Sequence, residues 1–348
     1  MPALWRCMNV YAIKVEGLTK KFNGVTAVNN ITFSVDRGEL FGLLGPNGAG
    51  KTTIINMLST LLKPTSGYAE VAGFNVVQYR NDVRNSIGVV FQETALDNRL
   101  TGKENLEFHS VMYGMDKKAS DERIKEVMDL VELTDKTNVL VEKYSGGMKR
   151  RLEIARGLIH YPKVLFLDEP SLGLDAQIRR HIWDYIKKLN EEENVTIILT
   201  THYMEEADYL CERVAIFDHG KIVALETPSN LKDSLGGDVI SLELQECKDP
   251  NIGKQQDCVA FEVDLKSNDW LKSIDRHDGM LDLKVKNSEK HIPEVFAIAE
   301  KRGIAINSVN MHKPSLEDVF LRYTGKTIRE QEATAMDRNR QMASGRPH

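Results

Sequence analysis

The sequence predicts an α/β core of largely parallel strands, interrupted by a helical insertion and followed by a small α+β domain. Three observations predict it. From about residue 13 to 228 short β-rich runs alternate with segments of helical period, and between about 93 and 145 the strand signal fades and helical patterns take over. Beyond Pro228 apolar residues recur at period two. A chain of 348 residues has outgrown a single core, so two domains are expected, 1–228 and 229–325, with a tail at 326–348.

Composition narrows the class. Lys plus Arg number 46 against 51 Asp plus Glu, a formal net charge of −5, with 41% hydrophobic and 28% charged residues. This excludes a disordered polyelectrolyte and supplies no basic excess for coating nucleic acid, so no nucleic-acid partner is expected. No apolar run approaches the ~20 residues that cross a bilayer as a helix. Residues 1–11 carry only Arg6 and lack a long apolar stretch before a small-residue cleavage site, so the chain is expected to stay in the cytoplasm. Its four cysteines, Cys7, Cys211, Cys247 and Cys258, lie far apart without zinc-like spacing and read as free thiols.

In the first domain the apolar runs at 40–44, 164–167, 195–200 and 214–218 read as strands. Thr101 followed by Glu104 fits a capping box ahead of an apolar face at Leu106, Val111 and Met112, which opens the helical insertion. In the second domain three sets alternate and are expected as half-buried strands: Ile240, Leu242, Leu244, then Val259, Phe261, Val263, Leu265, then Leu281, Leu283, Val285. Ile292, Val295, Phe296 and Ala299 return to helical spacing, Ile304 and Ile306 resume alternation, and 314–323 reads as a final helix. The 326–348 stretch is nearly free of large apolar residues and cannot offset its ordering entropy, so it is expected to be disordered.

Gly45-Pro46-Asn47-Gly48-Ala49-Gly50-Lys51-Thr52, with Thr53 next, satisfies G-x-x-x-x-G-K-[ST] between a strand-like run and an apolar helical run through Ile54, Ile55, Leu58 and Leu62. Glycines are needed there because backbone amides must approach phosphate oxygens with no Cβ in the way. Lys51 then neutralises phosphate charge and the Thr52 hydroxyl ligates Mg²⁺. Downstream, the apolar run from Val164 ends in Asp168 and Glu169. A carboxylate at a strand's C-terminal tip lies where ligands bind in open α/β sheets, so Asp168 can hold Mg²⁺ and Glu169 can orient or deprotonate a water. A P-loop NTPase is the reading, with GTPases, kinases, helicases and transporters all open.

The next motif decides among them. Ser145-Gly146-Gly147-Met148-Lys149 opens a helical run through Leu152, Ala155 and Leu158, placing a hydroxyl and free amides at a helix N-terminus, a second anion site. One phosphate chain does not reach both loops unless the fold joins them, so this loop is read as serving a nucleotide held by another copy.

With these motifs in order, the sequence from about 15 to 227 resembles the ATP-binding-cassette (ABC) family. Ser145-Gly146-Gly147 looks like its signature loop, usually Leu-Ser-Gly-Gly-Gln, here with Tyr144 and Met148 in the first and last places. The resemblance implies two cassettes closing head to tail with ATP between them. It also implies that Gln92 touches Mg²⁺ and the water and reports nucleotide state to the insertion. By the same likeness Asp175 lies at the dimer seam, His202 contacts the γ-phosphate and Phe22 stacks on adenine. Pro314 to Phe320 with Tyr323-Thr-Gly325 resembles the C-terminal element of daunorubicin-resistance-type ATPase subunits, a drug and lipid export group.

The expectation is therefore an ATP hydrolase that powers a membrane exporter. Glu169 is its base, Lys51 and His202 stabilise charge and Gln92 assists. It works as a homodimer on separate transmembrane permease subunits at the inner face of the cell membrane. The competing reading is a soluble ABC ATPase acting on ribosomes or DNA; such members usually carry two cassettes or long coiled coils, and this sequence has neither.

Overall fold

The computed structural model describes residues 11–244, 255–277 and 280–325. They fall into two compact units that divide between Pro228 and Ser229.

The first unit begins with β1 (Tyr11–Phe22) and β2 (Val25–Asp36), joined by Asn23 and Gly24. Both turn residues have positive φ, 44° and 87°, the left-handed pair whose twist matches a two-residue hairpin. Next, β3 (Leu40–Leu44) runs through the phosphate loop into α1 (Lys51–Leu58), and β4 (Ser66–Val71) and β5 (Phe74–Asn75) return to the hairpin. These strands form an antiparallel sheet of order β2-β1-β4-β5. Then α2 (Arg80–Ser86) leads to β6 (Ile87–Val90), α3 (Gly102–Met112) and α4 (Lys117–Leu130) make the helical segment, and α5 (Gly146–Leu158) precedes β7 (Val164–Asp168). The unit finishes with α6 (Ala176–Glu193), β8 (Thr196–Thr201), α7 (Met204–Leu210), β9 (Arg213–Asp218) and β10 (Lys221–Glu226).

A second sheet has order β10-β9-β3-β8-β7-β6, parallel throughout except at β9–β10. The largely parallel core expected from alternation is this sheet, whereas the first 75 residues add an antiparallel one that alternation did not separate. Ile13, Val15 and Phe33 of the first sheet share a core with Phe41 and Phe166 of the second and with Ile54 and Leu58 of α1 between them. The Phe33 and Phe41 rings stack at 5.5 Å. Burying α1 on both sides is what fixes the phosphate loop at the C-terminal tip of β3.

The capping box at the start of α3 is formed, with Thr101 Oγ1 accepting from Glu104 N and Glu104 Oε2 accepting from Thr101 N. The apolar face drawn after it is corrected: Leu106 is buried, but Val111 and Met112 are 71% and 68% exposed. They stand five and six residues from Leu106, off its face at 3.6 residues per turn.

Helix α8 (Pro228–Asp233) starts at the last residue before the division, and the second unit continues through β11 (Asp238–Leu244), α9 (Gln255–Lys266), β12 (Leu271–His277), β13 (Met280–Val285), α10 (Ser288–Lys301), β14 (Ile306–His312) and α11 (Leu316–Thr324). From β11 to β14 the order is β-α-β-β-α-β with sheet order β12-β13-β11-β14, all neighbours antiparallel, which is the split βαβ arrangement. One expectation is overturned here: residues 259–265 are not a strand but part of α9. Phe261 and Leu265, four apart, are buried, while Val263 between them is 60% exposed, so the burial period is helical. The expected tail at 326–348, and the side chains of Cys7, Cys247 and Cys258, lie outside the described residues; Cys211 is a buried free thiol.

Candidate functional site

The phosphate loop is shaped by its neighbours. Gly45 N donates to Thr201 O at 3.2 Å, and a Cβ on Gly45 would come within 2.4 Å of Phe217 O. Gly50, the N-cap of α1, has φ +108° and passes so close to the first sheet that a Cβ would meet Ala27 O at 2.5 Å. Only glycine fits a left-handed position pressed against another backbone. Gly48, φ +83°, faces open space instead. The loop therefore presents its amides, with the N-terminus of α1 behind them, to a concave surface of the kind that receives phosphates.

Lys51 is buried, and its ammonium donates to Gly45 O at 2.6 Å and Pro46 O at 3.1 Å. One residue on, Thr52 Oγ1 lies 3.2 Å from Asp168 Oδ1. Strand order explains the meeting, because β3 and β7 flank β8 and all three end on the same side. Asp168 also accepts from Thr200 Oγ1 on β8, and that hydroxyl accepts in turn from Glu169 N at 3.0 Å. Glu169 has φ +48°, a left-handed conformation rare outside glycine, fixed by this bond and by a second from Glu169 N to Thr200 O. So held, its carboxylate places Oε1 3.6 Å from Lys51 Nζ and Oε2 3.2 Å from His202 Nδ1.

The charge on Glu169 is set by opposed effects. Burial pushes its carboxyl up, but the His202 imidazole beside it and the positive charge of Lys51 together outweigh burial and hold it below the usual carboxylate range. It is a carboxylate at neutral pH, able to accept a proton from water.

Asn47, Gly48, Gly50, Lys51, Thr52, Thr53, Gln92 and Glu169 line one open cleft of about 370 Å³, with Ala27 and Leu172. Pro46 and Ala49 are buried in the loop behind it. Five residues singled out from the sequence lie elsewhere. Ser145 caps α5, accepting from Met148 N at 3.3 Å, and Asp175 caps α6, accepting from Ile178 N at 2.9 Å. Gly146 and Gly147 follow Ser145, and Gly147 presses on α6 so closely that a Cβ would come within 2.6 Å of Ile178 Cγ2. The Ser145 and Asp175 loops thus form a second surface. Phe22, at the end of β1, is exposed beneath the Lys20 ammonium, which stands 4.9 Å from its ring centroid.

Two buried residues that sequence reasoning passed over brace the first surface from beneath. Thr200 ties β8 to Asp168 and Glu169, and its signal was a hydroxyl at the C-terminal end of the apolar run Ile197 to Leu199. Arg150 donates to Asp168 O, Pro170 O and Phe91 O; nothing in one-dimensional spacing marks it. The oxygen pair Thr52 and Asp168 suits a hard cation such as Mg²⁺. Among the described residues no cluster of three or more His, Cys, Asp or Glu could hold a metal alone. Mg²⁺ shared with phosphates and water needs no such cluster, so the donor set fits.

The parallel sheet, the glycine loop at its switch region and the paired carboxylates define a P-loop NTPase. The ABC transporter family profile matches residues 28–172, and that of the DrrA1-3-like C-terminal domain of ATP-binding proteins matches 227–324. The chain is 38% identical over 321 residues to the linearmycin resistance ATP-binding protein LnrL of Bacillus subtilis (strain 168), covering 91% of this chain and 100% of that one. It is 36% identical over 327 residues to the daunorubicin resistance ATP-binding protein DrrA2 of Streptomyces coeruleorubidus, covering 94% and 99%. A solved dimeric ATP-binding cassette in a post-hydrolysis state, bound to ADP and Pi, aligns with a TM-score of 0.56 at 29% identity over 62% of this chain and 98% of its own. The chain belongs to the ABC transporter ATP-binding proteins, in the group with a DrrA-like C-terminal domain, and is an ATP hydrolase. Among the described residues no helix is long and apolar enough to cross a membrane.

Proposed function

We propose that the chain is the ATP-hydrolysing subunit of an exporter of a drug or lipid. It acts as a homodimer of cassettes bound to separate transmembrane permease subunits at the inner face of the cell membrane. The observation that carries this reading is the convergence of Lys51, Asp168, Glu169 and His202 at the ends of three adjacent strands. The resistance proteins to which the chain is similar supply the cargo class.

In this mechanism the amides of Asn47, Gly48 and Gly50 and the N-terminus of α1 hold the phosphates, with Lys51 facing their charge. Phe22 receives the adenine ring. Thr52 and Asp168, with Gln92 beside them, would hold Mg²⁺, which when bound neutralises charge on the phosphate oxygens. Glu169 takes the proton of the attacking water. As the water oxygen bonds to the γ-phosphorus, the bond to the bridging oxygen breaks and ADP leaves. His202, braced by Glu169, donates to the transferred phosphoryl. The Ser145 loop and Asp175 of the second copy close over the nucleotide, so hydrolysis reopens the pair.

Membrane fractionation of cells producing the chain with and without its permease tests the assignment. The chain should enter the membrane fraction only with the permease. Sedimentation with ribosomes or nucleic acid would overturn the reading in favour of a soluble ABC ATPase.

A further inference from the structure

Arg150 and Glu153 stand one turn apart on α5, and both reach backbone groups of the loops that carry the proposed chemistry. The buried Arg150 guanidinium donates through Nη2 to Asp168 O at 3.0 Å and through Nε to Pro170 O at 2.8 Å, the carbonyls on either side of Glu169. Its Nη1 donates to Phe91 O at 2.7 Å, immediately before Gln92. The Glu153 carboxylate, 1% exposed, accepts from Ala95 N at 2.6 Å and is paired with Arg156 at the same distance. One helix thus holds residues 91–95 at both ends and brackets Glu169 as well.

That helix is the one capped by Ser145. It lies directly on β6, the strand leading to Gln92: a Cβ on Gly88 would come within 2.1 Å of Gly157 O. There is no slack between helix and strand, so a displacement at the Ser145 end cannot be absorbed there and passes to the loops that Arg150 and Glu153 grip. A planar fork of five donors can satisfy three carbonyls in fixed directions, which a lysine ammonium on a flexible stem does not reproduce.

We propose that Arg150, supported by Glu153, is a positioning residue linking the two sites of the dimer. Closure of the Ser145 loop on the nucleotide of the second copy is transmitted through α5 to Gln92 and Glu169 of the same chain. Each site thereby sets the readiness of the other to hydrolyse. The inference rests on the composite-site reading above.

The test is steady-state hydrolysis by the full-length protein as a function of ATP concentration, with ATP binding measured separately by calorimetry. Arg150→Ala is expected to lower kcat about a hundredfold, as expected for a reacting group displaced by about 1 Å. Its ATP Kd should stay within about threefold of parental, and its Hill coefficient should fall from about two toward one. Arg150→Lys should restore only part of kcat. Parental kcat and Hill coefficient in Arg150→Ala overturn the proposal, as does a loss of binding that accounts for the whole loss of rate. If Arg150→Ala does not fold, Glu153→Gln decides: retained cooperativity with parental kcat overturns the proposal, and a fall in both supports it. A parental protein that stays monomeric with ATP, even as Glu169→Gln, would refute the composite site itself and is distinguishable from failure of Arg150 alone.

Discussion

His202 Nδ1 lies 3.2 Å from Glu169 Oε2, while the other oxygen of the same carboxylate faces Lys51 at 3.6 Å. One carboxylate therefore spans the buried ammonium at the start of α1 and the imidazole at the tip of β8. Glu169→Gln keeps the shape and removes the proposed base. ATP binding should persist, turnover should fall by at least about a hundredfold, and closed dimers should accumulate. Size-exclusion chromatography with ATP checks the last point. Parental hydrolysis in this variant would place the base elsewhere.

Gly50 carries two independent constraints, a φ of +108° and a Cβ position 2.5 Å from Ala27 O, whereas Gly48 has only the first, with open space around it. Gly50→Ala must either push β2 away or reshape the loop. Its affinity for ATP is expected to fall by at least about tenfold, against a cost of about 1 kcal/mol in folding stability and little loss of binding for Gly48→Ala. Calorimetric titration of the two variants side by side gives the comparison; equal affinities would remove the role assigned to the contact with Ala27.

Ser145→Arg adds bulk and charge at the cap of α5, away from the cleft that contains Lys51 and Glu169. Nucleotide binding to the monomer should remain, whereas dimer-dependent turnover should vanish. Loss of monomer binding would mean that the loop serves its own chain's nucleotide.

Acid should weaken the fold at the groove beside α3. Burial first, then the charge of Arg156 and of His160, lowers the His109 pKa from 6.5 to about 4, and burial lowers that of His160 too. The unfolded chain therefore binds protons that the folded chain refuses, so this contribution is full above pH 6.5 and is lost as pH falls toward 4. Thermal denaturation across that window should show a declining Tm, and His109→Gln should flatten the decline. A slope unchanged by the substitution would assign the acid sensitivity to other groups.

Some of this architecture was legible in the sequence because the physics is local. The glycine pattern at 45–50 needs a turn approaching phosphate, and the capping box at Thr101 and Glu104 is closed by neighbours three residues apart. What escaped was set by tertiary contact. Arg150 looks like any helix-surface arginine until β7 and the loop after β6 arrive beside it. Thr200 acquires its partners only because β7 and β8 pair in register, Asp168 opposite Thr200. Spacing could name Ser145 and Lys51, and the structure places them apart within one chain, Lys51 at the cleft and Ser145 at the cap of α5.

The segment 259–265 failed for a different reason: in Val259, Phe261, Val263, Leu265 the set at i, i+2, i+4 contains the helical pair at i, i+4, so both periods fit a short apolar run. The two assignments differ at Val263. On a strand it would share the inner face with Phe261 and Leu265; on α9 it points away from them and is exposed. Phe261 is fully buried in the core of the second unit, so Phe261→Ala should cost about 3–5 kcal/mol by the usual transfer-plus-cavity effect. Val263→Ala should stay within about 0.5 kcal/mol of parental, as surface substitutions do. Urea unfolding of the two full-length variants, followed through the transition of the second unit, measures both. A Val263→Ala loss as large as that of Phe261→Ala would return the segment to a sheet.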